Sequence, residues 1–286
     1  MKKRAALHNL GCKVNAYETE AMRQLLEEDG YEIVPFEPGA DVYVINTCTV
    51  TNIADRKSRQ MLHKARKMNP DAIVVAAGCY VETADGGVEK DPAIDIILGN
   101  NQKNQLVSVI RDFEQKRAGK RAEEPSGVMT KKIDINHTKE YENLIIDRTE
   151  NRTRADIKVQ DGCNQFCTYC IIPFARGRVR SRDTQDVLQE VRALAASGCQ
   201  EIVLTGIHLS SYGVDLGEGM DLTALIEAVH EVDGISRIRL GSLEPGIVTE
   251  KFAYTLAELP KVCPHFHLSL QSGCDTVLRR MNRHYT

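Results

Sequence analysis

The sequence predicts an α/β fold in two parts, a doubly wound parallel sheet followed by (βα) units of the kind that build a parallel barrel. Two observations carry this. Short apolar runs alternate with amphipathic, helix-length stretches, first up to about Arg117 and again from Arg154. Between them KRAGKRAEEPSGVMTKK is charged, contains Gly, Pro and Ser, and lacks periodicity, as a linker or crossing segment does. The boundaries read as 1–117 for the first domain, 118–150 for the connection and 151–286 for the second domain.

The elements follow in order. RAALHNL is a first strand. The stretch 18–29 is a helix with Ala21, Met22, Leu25 and Leu26 on one face, stopped by Gly30. DVYVINT is a strand, 52–68 a basic helix, AIVVAAG and IDIILG two strands, and 102–115 a further helix. In the second part ADIKVQDG is a strand and 184–197 a helix closed by Gly198. EIVLTGI is the next strand, 221–232 a helix ended by Gly234, and SRIRLGSL and FHLSLQS two more strands. Four (βα) units leave an open sheet edge, so the sequence reads as the first half of a barrel with further material expected beyond Thr286. No internal repeat and no low-complexity tract is found.

The 286 residues suffice for one large or two medium domains, and no run reaches the roughly 18 apolar residues of a membrane span. The basic start MKKRAALHNL is too brief for a signal-peptide core, so a cytoplasmic protein without a membrane partner is expected. A net charge of −3 makes the whole chain no obvious nucleic-acid binder, which leaves that role to local patches. Nine cysteines in a chain with a real core point to metal binding or catalysis, not to a disulfide framework.

The stretch DGCNQFCTYCIIP gathers Cys163, Cys167 and Cys170 and then offers no cysteine until Cys199. Structural zinc requires four ligands in a closed tetrahedron, whereas a cubane iron–sulfur cluster on three cysteines leaves one iron open. A zinc knuckle completed by Cys199 or a histidine is the alternative. Cys12, Cys48 and Cys79 each close a predicted strand, and in a parallel sheet such ends lie along one edge. The three either converge there or are buried cysteines of a sheet interior.

Cys163-x3-Cys167-x2-Cys170, with Tyr169 beside the last cysteine, resembles the signature of radical S-adenosylmethionine (SAM) enzymes. LGCKVNAYETE, INTCTVT, GCY and DGCNQFCTYCIIPFARGRVRSR are similar to elements of the radical SAM methylthiotransferase family. The resemblance spans nearly the whole chain. It implies a radical-SAM barrel and two [4Fe-4S] clusters. One is held by Cys163, Cys167 and Cys170, which are thereby the catalytic cysteines, with SAM on its open iron. An auxiliary one is held by Cys12, Cys48 and Cys79.

It also implies the chemistry: one SAM methylates sulfur on the auxiliary cluster, and a second is cleaved to a radical that activates C2 of an adenosine. GCKVNAYETE and CIIPFARG look most like the branch acting on N6-threonylcarbamoyladenosine beside the tRNA anticodon. Other branches act on isopentenyladenosine or on a ribosomal protein, and a non-enzymatic zinc- or RNA-binding module is the distant rival. The implied partners are tRNA and a flavodoxin- or ferredoxin-like electron donor, for a protein expected to be a monomer. Full-length family members add the rest of the barrel and a small RNA-binding domain, neither of which is expected within residues 1–286.

In the resembling enzymes strand ends surround SAM, which implies Gly206, Glu244, Gln271 and Ser272 as its contacts, with Tyr169 beside the last cysteine; ordinary strand-to-helix turns are the alternative for the strand-end residues. Arg176, Arg178, Arg180 and Arg182 alternate on an extended segment; they grip RNA phosphates or form ion pairs with nearby acids. Asn9, Asn15 and Asn46 either donate to cluster sulfur or cap loops. Cys199, Cys263 and Cys274 are expected as incidental thiols, and His8 and His267 as core or edge residues.

Overall fold

A computed structural model describes residues 2–84, 86–119, 127–148 and 153–286. The chain forms two compact units, one of residues 1–138 with Phe174–Arg176, the other of 139–173 and 177–286. Among the described residues no helix is long and apolar enough to cross a membrane.

In the first unit the chain runs β1 (Arg4–Asn9), α1 (Lys13–Glu28), β2 (Glu32–Ile33), β3 (Val42–Thr47), α2 (Asn52–Met68) and β4 (Ile73–Gly78). It continues through α3 (Cys79–Thr83), β5 (Ile96–Leu98), α4 (Leu106–Ala118) and β6 (Met129–Lys131). All strand pairs are parallel, in the order β2-β1-β3-β4-β5-β6. Alternation along the strands divides the core. Ala5, Val42, Val44, Val75, Ala77 and Ile96 face α1 and α4 through Met22, Leu26, Ile110 and Phe113. Ala6, Tyr43, Ile45, Val74, Ala76 and Ile97 face the opposite way, onto Leu62, Ala65 and Val81 of α2 and α3. Both faces are covered, so the strands read as unbroken apolar runs. This is the doubly wound sheet expected.

The second unit contains β7 (Arg154–Asp161), α5 (Ile172–Ala175) at its boundary, β8 (Arg180–Ser181), α6 (Thr184–Ala196), β9 (Glu201–Gly206) and α7 (Leu222–His230). After these come β10 (Arg237–Leu240), α8 (Glu250–Ala257) and α9 (Asp275–Arg280). Its sheet has the order β10-β9-β7-β8. The β7–β9 and β9–β10 pairs are parallel, and the short β8 is antiparallel to β7. Asp183 and Asp221 cap α6 and α7 by accepting from the Gln185 and Ala224 amides.

Several expectations need correction. α1 begins five residues before Glu18, because Val14 and Tyr17 already lie on its buried face. Part of the stretch read as a linker, Met129–Lys131, is an edge strand on β5; three residues are too few to show a period. Residues 120–126 and 149–152 of the same stretch lie outside the described residues. FHLSLQS is not a strand. It makes one bridge, Leu243 with Leu268, and Phe266, Leu268 and Leu270 stay exposed.

Gly162 joins β7 to the cysteine loop at φ +71°, where a Cβ would lie 1.8 Å from the Arg178 carbonyl oxygen. Gly198 has a similar φ of +95° but open space around it. Gly162→Ala is therefore expected to cost about 2–4 kcal/mol, strain plus overlap, and Gly198→Ala about 1–2 kcal/mol, strain alone. Urea unfolding of both variants against the parent checks the difference.

Candidate metal centres

The first thiol trio is assembled by the parallel register of three adjacent strands. Asn9 pairs with Asn46, Asn46 with Ala77, and Thr47 with Gly78, so β1, β3 and β4 end at one edge. Cys48 directly follows β3, Cys79 opens α3 directly after β4, and Cys12 occupies the N-cap position of α1. Gly11 lets the first loop close onto Cys48: a Cβ there would stand 3.2 Å from Cys48 Sγ. Gly78, at φ +94°, would drive a Cβ to 2.7 Å from the Thr47 carbonyl oxygen.

Polar side chains fix these loops. Asn15 Nδ2 donates to the carbonyls of Leu10 (2.7 Å) and Thr47 (2.9 Å), and Asn46 Nδ2 to Asn15 O (3.0 Å). These contacts fix the loops, and Asn15 Oδ1 also lies 3.8 Å from Cys12 Sγ. Asn9 Oδ1 lies 3.5 Å from Thr19 Oγ1, also a local contact. Ser58 Oγ of α2 accepts from the Cys48 amide (3.2 Å) and donates to its carbonyl (3.0 Å).

Arg176 is fully buried within this unit. It donates to Cys79 Sγ through Nε (3.2 Å), to Asn15 Oδ1 (2.6 Å) and to both oxygens of Glu18 (2.5 and 3.0 Å). Glu18 Oε2 also meets Lys103 Nζ at 3.1 Å, and Lys103 donates to Asn100 Oδ1 (2.6 Å). Asn100 Nδ2 lies 3.8 Å from Cys79 Sγ. Two cationic side chains thus share one carboxylate, with a cysteine sulfur as a further acceptor. Burial pushes the Cys12 thiol up, and Arg176 acts against that rise. Burial likewise raises Cys48.

The second trio lies on one loop of the other unit. Gln160 Nε2 donates to the carbonyls of Asp161 and Gly162 (2.7 Å each), and the His208 amide donates to Gln160 Oε1 (2.7 Å). The Cys163 amide donates to Gly177 O (3.0 Å), and Phe166 turns the loop at φ +48°. Asn282 Nδ2 donates to the carbonyls of Gln165 and Phe166, and Arg283 Nη1 to Cys167 Sγ (3.2 Å). Cys163 and Cys167 are buried and Cys170 half-buried. Burial pushes the Cys163 thiol up to about 11 and raises Cys170. Thiols in such surroundings keep their protons until a metal displaces them.

All nine cysteines are free. Among the described residues no three His, Cys, Asp or Glu side chains close around a point as one metal ion demands. Each trio offers three free thiols, a donor set that suits a cluster with one open iron.

The other expected site residues divide. Gly206 ends β9 against Gln160, whose Oε1 a Cβ would approach to 2.8 Å. Glu244 lines a cavity of about 450 Å³ with Gln165, His208 and Ser210. Its carboxylate stands 3.3 Å from His208 Nε2 and 3.6 Å from Arg283 Nη2, and His208 holds it below the usual carboxylate range. Tyr169 is exposed, and Gln271 and Ser272 do not line that cavity. Cys199 is buried and Cys274 exposed, as expected of incidental thiols.

The phosphate-gripping role does not fit three of the four arginines. Arg176 is held as described, Arg180 lies 3.7 Å from Asp161 Oδ2 beside Lys158 (2.6 Å), and Arg182 pairs with Glu190. All three are fully buried, and a guanidinium paired inside the protein has no phosphate within reach. Arg178 is half-buried, its guanidinium 4.5 Å from the Phe166 ring centre. The burying surface comes from α1, β7 and α6, and only Arg180–Ser181 of this stretch is strand. Sequence reading missed Glu18, Ser58, Lys103, Asn100 and Arg283, because nothing local marks a polar residue whose partners are far along the chain.

Residues 157–286 match the Radical SAM superfamily, and residues 4–99 match the Uncharacterized protein family UPF0004. Residues 157–286 thus form a domain of the radical SAM superfamily. It is 43% identical over 281 residues to the threonylcarbamoyladenosine tRNA methylthiotransferase MtaB of Bacillus subtilis, covering 98% of this chain and 60% of that protein. To the MtaB of Aquifex aeolicus it is 39% identical, covering 99% and 66%. A tRNA-2-methylthio-N(6)-dimethylallyladenosine synthase of Dictyoglomus thermophilum is 36% identical, at 96% and 61% coverage. The chain thus spans less than two thirds of the length of these curated relatives.

The radical SAM methyltransferase TsrM of Kitasatospora setae, solved with cobalamin and a [4Fe-4S] cluster, shares the fold. Its TM-score is 0.64 at 16% identity, covering all of this chain and 63% of TsrM.

Arg176→Gln would remove the buried guanidinium from Glu18, Asn15 and Cys79, with Lys103 still against Glu18. The expected cost is about 3–5 kcal/mol, against under about 0.5 kcal/mol for the exposed Lys67→Gln. Urea unfolding midpoints of the two variants decide whether Arg176 anchors the site.

Proposed function

We propose that this chain forms the two metal-bearing parts of a radical SAM methylthiotransferase. Its product would be the C2 methylthio derivative of N6-threonylcarbamoyladenosine beside a tRNA anticodon. The observation that carries the reading is the strand-end trio. Cys12, Cys48 and Cys79 come from three distant parts of the sequence and meet at one sheet edge, in a chain that also bears a C-x3-C-x2-C loop. One trio alone would suit many radical SAM enzymes. The pairing, and the MtaB relatives at 34–43% identity, support methylthio transfer.

In this reading the first unit is the auxiliary domain and the second the start of the radical-SAM barrel. Cys12, Cys48 and Cys79 would hold the auxiliary [4Fe-4S] cluster, and Cys163, Cys167 and Cys170 the other, at which SAM binds. Bound there, cluster and SAM supply a radical able to take hydrogen from an unactivated carbon, while the auxiliary cluster supplies sulfur.

The chain's own residues do the positioning. Gln160 and Asn282 hold the loop carbonyls, so the cysteine trio keeps one conformation. Arg283 and Arg176 donate to a sulfur of each trio, Cys167 and Cys79, and so fix where those two sulfurs point. Glu244, ionised and flanked by His208 and Ser210, is a fitting acceptor for the amino or hydroxyl groups of SAM in its cavity. A flavodoxin- or ferredoxin-like donor would supply the electrons.

Anaerobic reconstitution is expected to yield about eight irons and matching sulfide per chain. Replacing Cys12, Cys48 and Cys79 with alanine should leave about four, and so should replacing Cys163, Cys167 and Cys170. Only the first of these triple variants should still cleave SAM reductively. Zinc without sulfide would refute the reading. In tRNA from cells lacking this protein, the methylthio group should be missing from N6-threonylcarbamoyladenosine; its loss from dimethylallyladenosine instead would assign the other branch.

A further inference from the structure

With Arg176, Arg180 and Arg182 internal, the cations left to meet RNA are those on the surface. α2 concentrates them. Its 17 residues hold six Lys and Arg against the single Asp55, in a chain whose net charge is −3. Two of the six are engaged: Arg66 with Asp95 and the carbonyls of Pro70 and Ala72, and Arg59 over the Tyr80 ring at 5.8 Å. Arg56, Lys57, Lys64 and Lys67 are exposed, and no ion pair is found for them among the described residues.

These four share a face. At 3.6 residues per turn they fall within about 100° of the helix circumference, opposite the buried Ser58, Leu62 and Ala65. From Arg56 to Lys67 the strip runs about 16 Å at 1.5 Å per residue. It is fixed in place on a candidate cluster ligand, since Ser58 of the same helix clasps the backbone of Cys48 on both sides. The flanking acids are few: Asp55, and Asp91, which His63 engages at 3.0 Å.

We infer that this outer face of α2 docks the phosphate backbone of an RNA. The inference rests on the reading of the chain as an RNA-modifying enzyme and adds the surface that reading lacked. The face suits phosphates better than a protein. Gln60 lies among the cations, and the exposed apolar side chain is Ile53 at the helix start. A protein partner would need an apolar centre to bury, whereas phosphates need only the row of charge.

The test is fluorescence anisotropy with a labelled anticodon stem-loop RNA across a range of salt concentrations. It compares the reconstituted chain with its Arg56→Ala/Lys57→Ala/Lys64→Ala/Lys67→Ala variant. Binding should weaken at least about tenfold, and the slope of log K against log salt should fall by about 3, at 0.7–0.9 per phosphate contact. The variant Lys57→Arg/Lys64→Arg/Lys67→Arg should keep both values. Unchanged affinity and slope in the alanine variant, or no RNA binding by the parent chain, would overturn the inference. Loss of polyglutamate binding with RNA binding intact would do so too, and would indicate an acidic protein instead. Iron and sulfide, assayed on the same samples, separate the two ideas. Full cluster content with unaltered RNA binding defeats the surface alone, whereas a parent chain without clusters defeats the functional reading.

Discussion

The parallel register of β1, β3 and β4 is the constraint on which the first candidate centre rests. In a parallel sheet every strand delivers its last residue to the same edge, whatever the distance along the chain. Three residue pairs, Asn9 with Asn46, Asn46 with Ala77 and Thr47 with Gly78, therefore suffice to gather thiols from positions 12, 48 and 79. The register itself is held by apolar burial on both faces, which a slip of one residue would invert for every side chain. Gly11 and Gly78 then let the chain turn within van der Waals distance of its neighbours.

Electrostatics finish what the register begins. Desolvation drives the Cys12 and Cys48 thiols toward their neutral form, even though Cys12 reaches the surface. A cation stands at one sulfur of each trio, Arg176 at Cys79 and Arg283 at Cys167. A buried guanidinium is itself costly unless paired, and Glu18 supplies the partner for Arg176. Glu18 also engages Lys103, so a residue that binds no metal joins α1 to the segment before α4. The charges of ARGRVRSR are in large part internal structure, paired with Glu18, Asp161 and Glu190.

The two units differ in how they make a trio. The first spreads its cysteines over three strands and lets topology converge them. The second places all three on a single loop and depends on backbone capture, by Gln160, Asn282 and the Gly177 carbonyl, to set their directions. A loop of that kind accepts no Cβ at Gly162, where the Arg178 carbonyl occupies the space.

The class of fold, most element positions and the strand-end and loop settings of the six cysteines were legible in the sequence by itself. The reason is that alternation, helical period and ligand spacing are local properties of the chain: α2 matches its expected bounds, and the strands that precede Cys48 and Cys79 end where their apolar runs end. It did not reveal β6, because three residues are too short to carry a pattern, and it proposed a strand at FHLSLQS, where alternation exists but the ladder does not. Only the tertiary structure decided what the arginines do. A guanidinium reads the same in sequence whether it faces a phosphate or a carboxylate, and the choice lies with Glu18, Asp161 and Glu190, whose approach is fixed by packing over long separations.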